Sequence, residues 1–134
     1  MECTVIEIPR RRQVRLTPEV TAPRQAREFV AQTFRAWHAD QFTNTAQLVI
    51  SELVSNAVLH SGTEIEVELR LEHGELRMRV HDGGDGMPAI VPPEQRTLGG
   101  VGLDLVARAT RSWGVTPDPH GGKDVWCVLS EDSA

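Results

Sequence analysis

Side chains recur at three- and four-residue spacing between positions 22 and 38, as Ala26, Phe29, Val30, Thr33, Phe34 and Trp37, which predicts an amphipathic helix there. Thr17 or Thr21, with Pro18 and Pro23 nearby, offers the chemistry of a helix start. A second stripe, Ala46, Val49, Ile50, Leu53, Val54, Ala57 and Val58, predicts a helix from about Phe42 or Thr43 to His60, with Gly62 as its C-terminal cap. Strict alternation then takes over. Residues 64–71 and 76–80 read as two strands joined at His73-Gly74, a hairpin with one buried and one polar face. A third helix is expected from about Val101 to Ser112 on Leu103, Leu105, Val106 and Ala109, and two closing strands on Trp113–Thr116 and Val125–Leu129. The N-terminal runs Thr4–Ile8 and Gln13–Leu16 also alternate and predict a further strand pair.

Hairpins dominate this order, so a doubly wound parallel sheet is excluded. The expected fold is an α+β two-layer sandwich: a mixed, mostly antiparallel β-sheet with about three helices on one face, in a single domain spanning 1–134. Met87–Leu98 holds three prolines and no periodicity, and is expected as a loop of functional length.

Composition narrows the partners. A net charge of −5 argues against broad nucleic-acid binding. No apolar run is long enough for a membrane span and the N-terminus is polar, so a cytoplasmic protein is expected. Cys3 and Cys127 lie far apart without neighbouring ligands and read as buried or unpaired thiols. Arg10-Arg11-Arg12 is open to two readings, a solvated strand end or part of a basic face for an acidic protein.

Three short motifs carry the candidate chemistry. Glu52, Asn56 and His60 are spaced by four and stack on one helix face, at the edge of the apolar stripe. A side-chain amide there suits Mg²⁺, which accepts such an oxygen together with water and phosphate oxygens; alone, the pattern is equally that of a solvated face. In Asp82-Gly83-Gly84-Asp85-Gly86 a strand ends on a carboxylate able to accept a hydrogen bond from an exocyclic amine. Gly84 and Gly86 there permit positive φ and close approach of a flat ligand. Alone, the string also describes a tight turn. Gly99-Gly100-Val101-Gly102-Leu103 leads into a helix whose backbone amides suit phosphate, and fits neither a P-loop nor a Rossmann fingerprint.

In this order and spacing the motifs resemble the N, G1 and G2 boxes of the GHKL, or Bergerat-fold, ATP-binding domains. These are shared by histidine kinases, type II topoisomerases and anti-sigma-factor serine kinases. The likeness covers about residues 13–130, and Trp113-Gly114 with Gly122-Lys123-Asp124-Val125-Trp126 is similar to the closing strands of small actinobacterial members. The resemblance implies ATP and Mg²⁺ as cofactors: Asn56 as the Mg²⁺ ligand through its side-chain oxygen, Asp82 reading the adenine amine, and Gly84 and Gly86 admitting the ring. It further implies Gly99, Gly100, Val101, Gly102 and Leu103 around the phosphates, Met87–Leu98 as the lid, and Glu52 as general base toward a protein hydroxyl. Arg96 with His60 or Lys123 are the basic groups left for the γ-phosphate. The chain departs from its relatives at Val101, where many carry arginine, and at Asp124, where many carry a threonine that supports the adenine-binding carboxylate.

The expected function is therefore an anti-sigma-factor-like protein serine/threonine kinase that sequesters a sigma factor and phosphorylates an antagonist protein, with no direct nucleic-acid or membrane partner. A homodimer is the assembly such relatives form. Two alternatives stand beside it. One is a nucleotide-gated binding module without catalysis, favoured by Val101. The other is a detached histidine-kinase ATP-binding domain, disfavoured by the short lid and the short chain.

Overall fold

The computed structural model describes residues 10–84 and 102–130. Their order is β1 (Arg10–Leu16), α1 (Ala22–Trp37), a 3-10 turn (Asp40–Phe42), α2 (Thr43–His60), β2 (Ile65–Glu72), β3 (Glu75–Asp82), α3 (Gly102–Ala109), β4 (Ser112–Pro117) and β5 (Lys123–Ser130). The two long helices fall where their stripes predict. Thr21 stands at the N-cap of α1 but makes no side-chain cap, and Pro23 occupies the first turn, where a missing N–H costs nothing. Gly62 follows α2 with φ 63°, and the N–H groups of Ser61 and Gly62 both donate to the Ala57 carbonyl, at 3.0 and 3.4 Å. His73 and Gly74 take φ of 54° and 75°, the pair of left-handed residues that a two-residue hairpin turn demands.

The sheet runs β1-β2-β3-β5-β4. The expected two-layer α+β fold with a mostly antiparallel sheet is found, and among the described residues every neighbouring pair is antiparallel. The reason lies in the crossover: α3 carries the chain from β3 to a strand that runs the same way, β4, but β5 then inserts between them. α3 is also shorter at its end than its periodicity predicts. The Arg111 N–H bonds to the Val128 carbonyl at 2.9 Å, so the chain joins the sheet instead of extending the helix. The expected strand at Thr4–Ile8 and the loop Met87–Leu98 lie outside the described residues.

One row of the sheet is Val14, Val67, Val80, Val125 and Val115, a valine from each of the five strands. The row faces the helices and packs into the core with Phe34, Phe42, Ile50 and Leu53. Burying each such side chain contributes roughly 1.5–3 kcal/mol. The next row is Arg12, Leu69, Met78, Cys127 and Trp113, and at its end the Arg12 guanidinium lies 5.3 Å from the centre of the Phe29 ring. The arginine run is thus the start of a strand. Cys127 is a free, buried thiol, as its isolation in the sequence implied. Among the described residues no helix is long and apolar enough to cross a membrane.

Candidate functional site

The last residue of β3, the first of β5 and the C-terminal half of α2 meet at one end of the sheet. Leu53, Asn56, Ala57 and His60 from α2 line a narrow hollow there with Asp82, Lys123 and Val125. Its walls are mostly apolar with one carboxylate and one ammonium, which suits the edge of a flat heterocycle bearing an amine. Asp82 is held from several sides. Its Oδ1 accepts the Gly84 N–H at 2.8 Å and Lys123 Nζ at 2.9 Å, and the Asp82 and Lys123 side chains are only 2% and 7% exposed.

Local sequence explains why the carboxylate sits so firmly. Ser61 Oγ donates to the Ala57 carbonyl and lies 3.1 Å from Thr63 Oγ1, which in turn accepts the Gly83 N–H at 2.7 Å. The end of α2 is thereby pinned to the turn that follows Asp82. Gly84 does not take a positive φ as its sequence context suggested. A Cβ there would lie 2.8 Å from the Ser61 Cβ, so the glycine serves the close approach of two segments. Gly122 does need its freedom: with φ 80°, a Cβ would lie 2.1 Å from the Asp82 carbonyl oxygen.

The residues proposed from sequence thus divide. Asn56, His60, Asp82 and Lys123 come together in the hollow. Glu52 lies one turn before Asn56 on α2 and is buried, 7% exposed, rather than at the edge of the stripe. Gly102 opens α3 and Leu103 follows in it. Gly86, Arg96, Gly99, Gly100 and Val101 lie outside the described residues.

Asp124 is the clearest correction. It does not adjoin Asp82: it points to the opposite face of the sheet, where its Oδ1 lies 2.7 Å from His81 Nδ1 and accepts from Arg79 at 3.1 Å. Lys123 is the β5 residue that faces Asp82. The parity of the strand carried this signal, because Val125, Cys127 and Leu129 point to the core and Lys123 shares their phase. Ser61 and Thr63 were missed altogether, since a Ser-x-Thr after a helix is ordinary loop chemistry in sequence.

On that opposite face Arg79 joins Glu66 at 2.8 Å, Glu68 at 3.3 Å and Asp124 at 3.1 Å. Partial burial works against its charge, but the hydrogen bond to Glu66 and the carboxylates of Asp124 and Glu68 outweigh this and raise its pKa. Cys127, by contrast, is governed by burial, which pushes the thiol up to about 12 against a weaker opposing bond from the Met78 backbone.

Among the described residues no three His, Cys, Asp or Glu side chains are grouped to hold a metal. The donor set fits a cation that arrives with phosphate oxygens, Asn56 contributing the protein oxygen, better than a closed protein cage.

The described residues form a two-layer α+β fold with this hollow at one end of the sheet. Residues 43–133 match the family model of the histidine kinase-, DNA gyrase B- and HSP90-like ATPases, which covers more than half of the chain, and the chain belongs to that family. No curated protein matches the chain. Domains of this family bind ATP, usually with Mg²⁺.

Proposed function

We propose that this chain is an ATP- and Mg²⁺-dependent protein serine/threonine kinase of the anti-sigma-factor type, which sequesters a sigma factor and phosphorylates an antagonist protein. The observation that supports the reading is the placement of Glu52. It is buried one helical turn before Asn56, on the helix whose next turns wall the hollow with Asp82.

In this mechanism Asp82 accepts from the exocyclic amine of the base, and its anchoring to Lys123 and Gly84 keeps that acceptor oriented. Asn56 would hold the cation through its side-chain oxygen, and His60, with Arg96 on its sequence position alone, is assigned to the phosphates. ATP supplies the phosphoryl group and Mg²⁺ the countercharge. Glu52 takes the proton of the attacking hydroxyl, a role that needs a carboxylate but no contact with the base.

The test is transfer of labelled phosphate to proteins co-purified with the chain, run beside calorimetric titration with ATP. Glu52→Gln keeps ATP affinity within about threefold and lowers transfer by about 10² to 10⁴. Asp82→Asn lowers ATP affinity by about 1–3 kcal/mol. Parent protein that binds ATP and its partner yet transfers no phosphate replaces this reading with the nucleotide-gated binding module, which Val101 favours. Protein that binds no ATP overturns both.

A further inference from the structure

The hollow contains an ammonium as well as a carboxylate, and the two are neighbours. Asp82 and Lys123 are directly paired across β3 and β5. Lys123 Nζ donates to Asp82 Oδ1 at 2.9 Å and reaches the Gly84 carbonyl at 3.4 Å. An ammonium has three hydrogens, so one donor remains for the hollow that both side chains line. The two bonds described for Asp82 both fall on Oδ1, which leaves Oδ2 to accept from a ligand. Stability alone is a poor reason for a lysine at this place. A buried ion pair is often matched or surpassed by well-packed apolar residues of similar volume, and Leu53, Ala57 and Val125 already make the surroundings apolar.

An acceptor beside a donor is a two-point reader of a heterocycle edge. Adenine presents the complementary pair, the N6 amine as donor and the adjacent N1 as acceptor. Resting on the nucleotide reading above, we propose that Lys123 is a second base-reading residue, which donates from Nζ to the purine N1 while Asp82 accepts from the amine. The same pair has a consequence for selectivity. A 6-oxopurine such as hypoxanthine in the same pose sets O6, an acceptor, against the Asp82 carboxylate and N1–H, a donor, against the Lys123 ammonium. The site therefore rejects ITP at two points, where a carboxylate alone rejects it at one.

The experiment is calorimetric titration of the full chain with ATP, 1-deaza-ATP and ITP, in the parent and in Lys123→Met. The parent binds 1-deaza-ATP about tenfold more weakly than ATP, the size of one charged hydrogen bond, and ITP about 100-fold more weakly or worse. In Lys123→Met, ATP and 1-deaza-ATP bind alike, and the gap between ATP and ITP narrows by about tenfold. The parent comparison needs no variant, so it decides the matter even where Lys123→Met fails to fold. Parent protein that binds ATP, loses it in Asp82→Asn, and takes 1-deaza-ATP equally well overturns the role of Lys123 and leaves the nucleotide site standing. Parent protein that binds none of the three overturns the nucleotide reading and this inference with it.

Discussion

Asp82 and Asp124 belong to the same sheet, stand one register position apart across β3 and β5, and live in opposite surroundings. Asp82 is on the helix side, nearly fully buried, and shares its charge with a single ammonium. Asp124 is on the open face, about a quarter exposed, in a half-wet net with Arg79 and His81. In the first case the chain has removed two charges from water and must keep both; in the second the charges are redundant and solvent replaces whatever is lost. The burial of a carboxylate's partner, rather than the number of its ion pairs, decides how much the protein depends on it.

Breaking the buried pair is expected to have the largest effect. Asp82→Ala strands Lys123 without compensation and costs about 3–5 kcal/mol in denaturant unfolding. Adding Lys123→Met to that variant returns most of the loss. A double variant no more stable than Asp82→Ala would show that the lysine is solvated after all.

Alkaline titration sharpens the contrast between the faces from the core side. The Cys127 thiol is raised from 9.0 to about 12 by burial, so between those values the unfolded chain loses its proton and the folded chain keeps it. Stability is intact below about pH 9 and falls as pH rises toward about 12, by the order of a few kcal/mol across the window. Cys127→Ala, compared with the parent by unfolding at each pH, should flatten that part of the profile.

Smaller effects belong to the open face. Arg79→Met leaves Glu66, Glu68 and Asp124 repelling one another and costs about 1 kcal/mol in thermal unfolding at low ionic strength. The deficit shrinks in about 1 M salt, where charges this exposed are screened. Smallest of all is Asp124→Thr, on the face of the sheet away from the hollow. It changes stability by less than about 0.5 kcal/mol and ATP affinity by less than about twofold. A marked gain of ATP affinity would place residue 124 at the base after all.

The same pair of acids measures what the sequence could reveal. Long periodic elements were plain from it: α1 and α2 end within about a residue of their stripes, and the His73-Gly74 turn was fixed by residues that tolerate positive φ. Asp82 was legible because its strand runs straight into a glycine turn. Asp124 was misplaced because a motif comparison aligns residues without asking which face each one takes, and a step of one position moves a side chain across the sheet. The clamp from Ser61 and Thr63 to Gly83 joins segments twenty residues apart, and no local pattern announces such a bond. The all-antiparallel pairing was hidden for the same reason: only three-dimensional order reveals that β5 enters between β3 and β4.

The two-residue turn at His73-Gly74 also sets an order of assembly. A hairpin closed by so short a loop can zip within microseconds, beginning at the Glu72–Glu75 pair and running toward the other end of β3. Asp82 is at that far end, the part of a zipper that frays most. It gains lasting protection only when β5 docks some forty residues later in the chain and Lys123 closes over it. The carboxylate is therefore among the last groups to be sequestered, and hydrogen exchange at Gly84, whose amide it holds, would time the completion of the fold rather than its beginning.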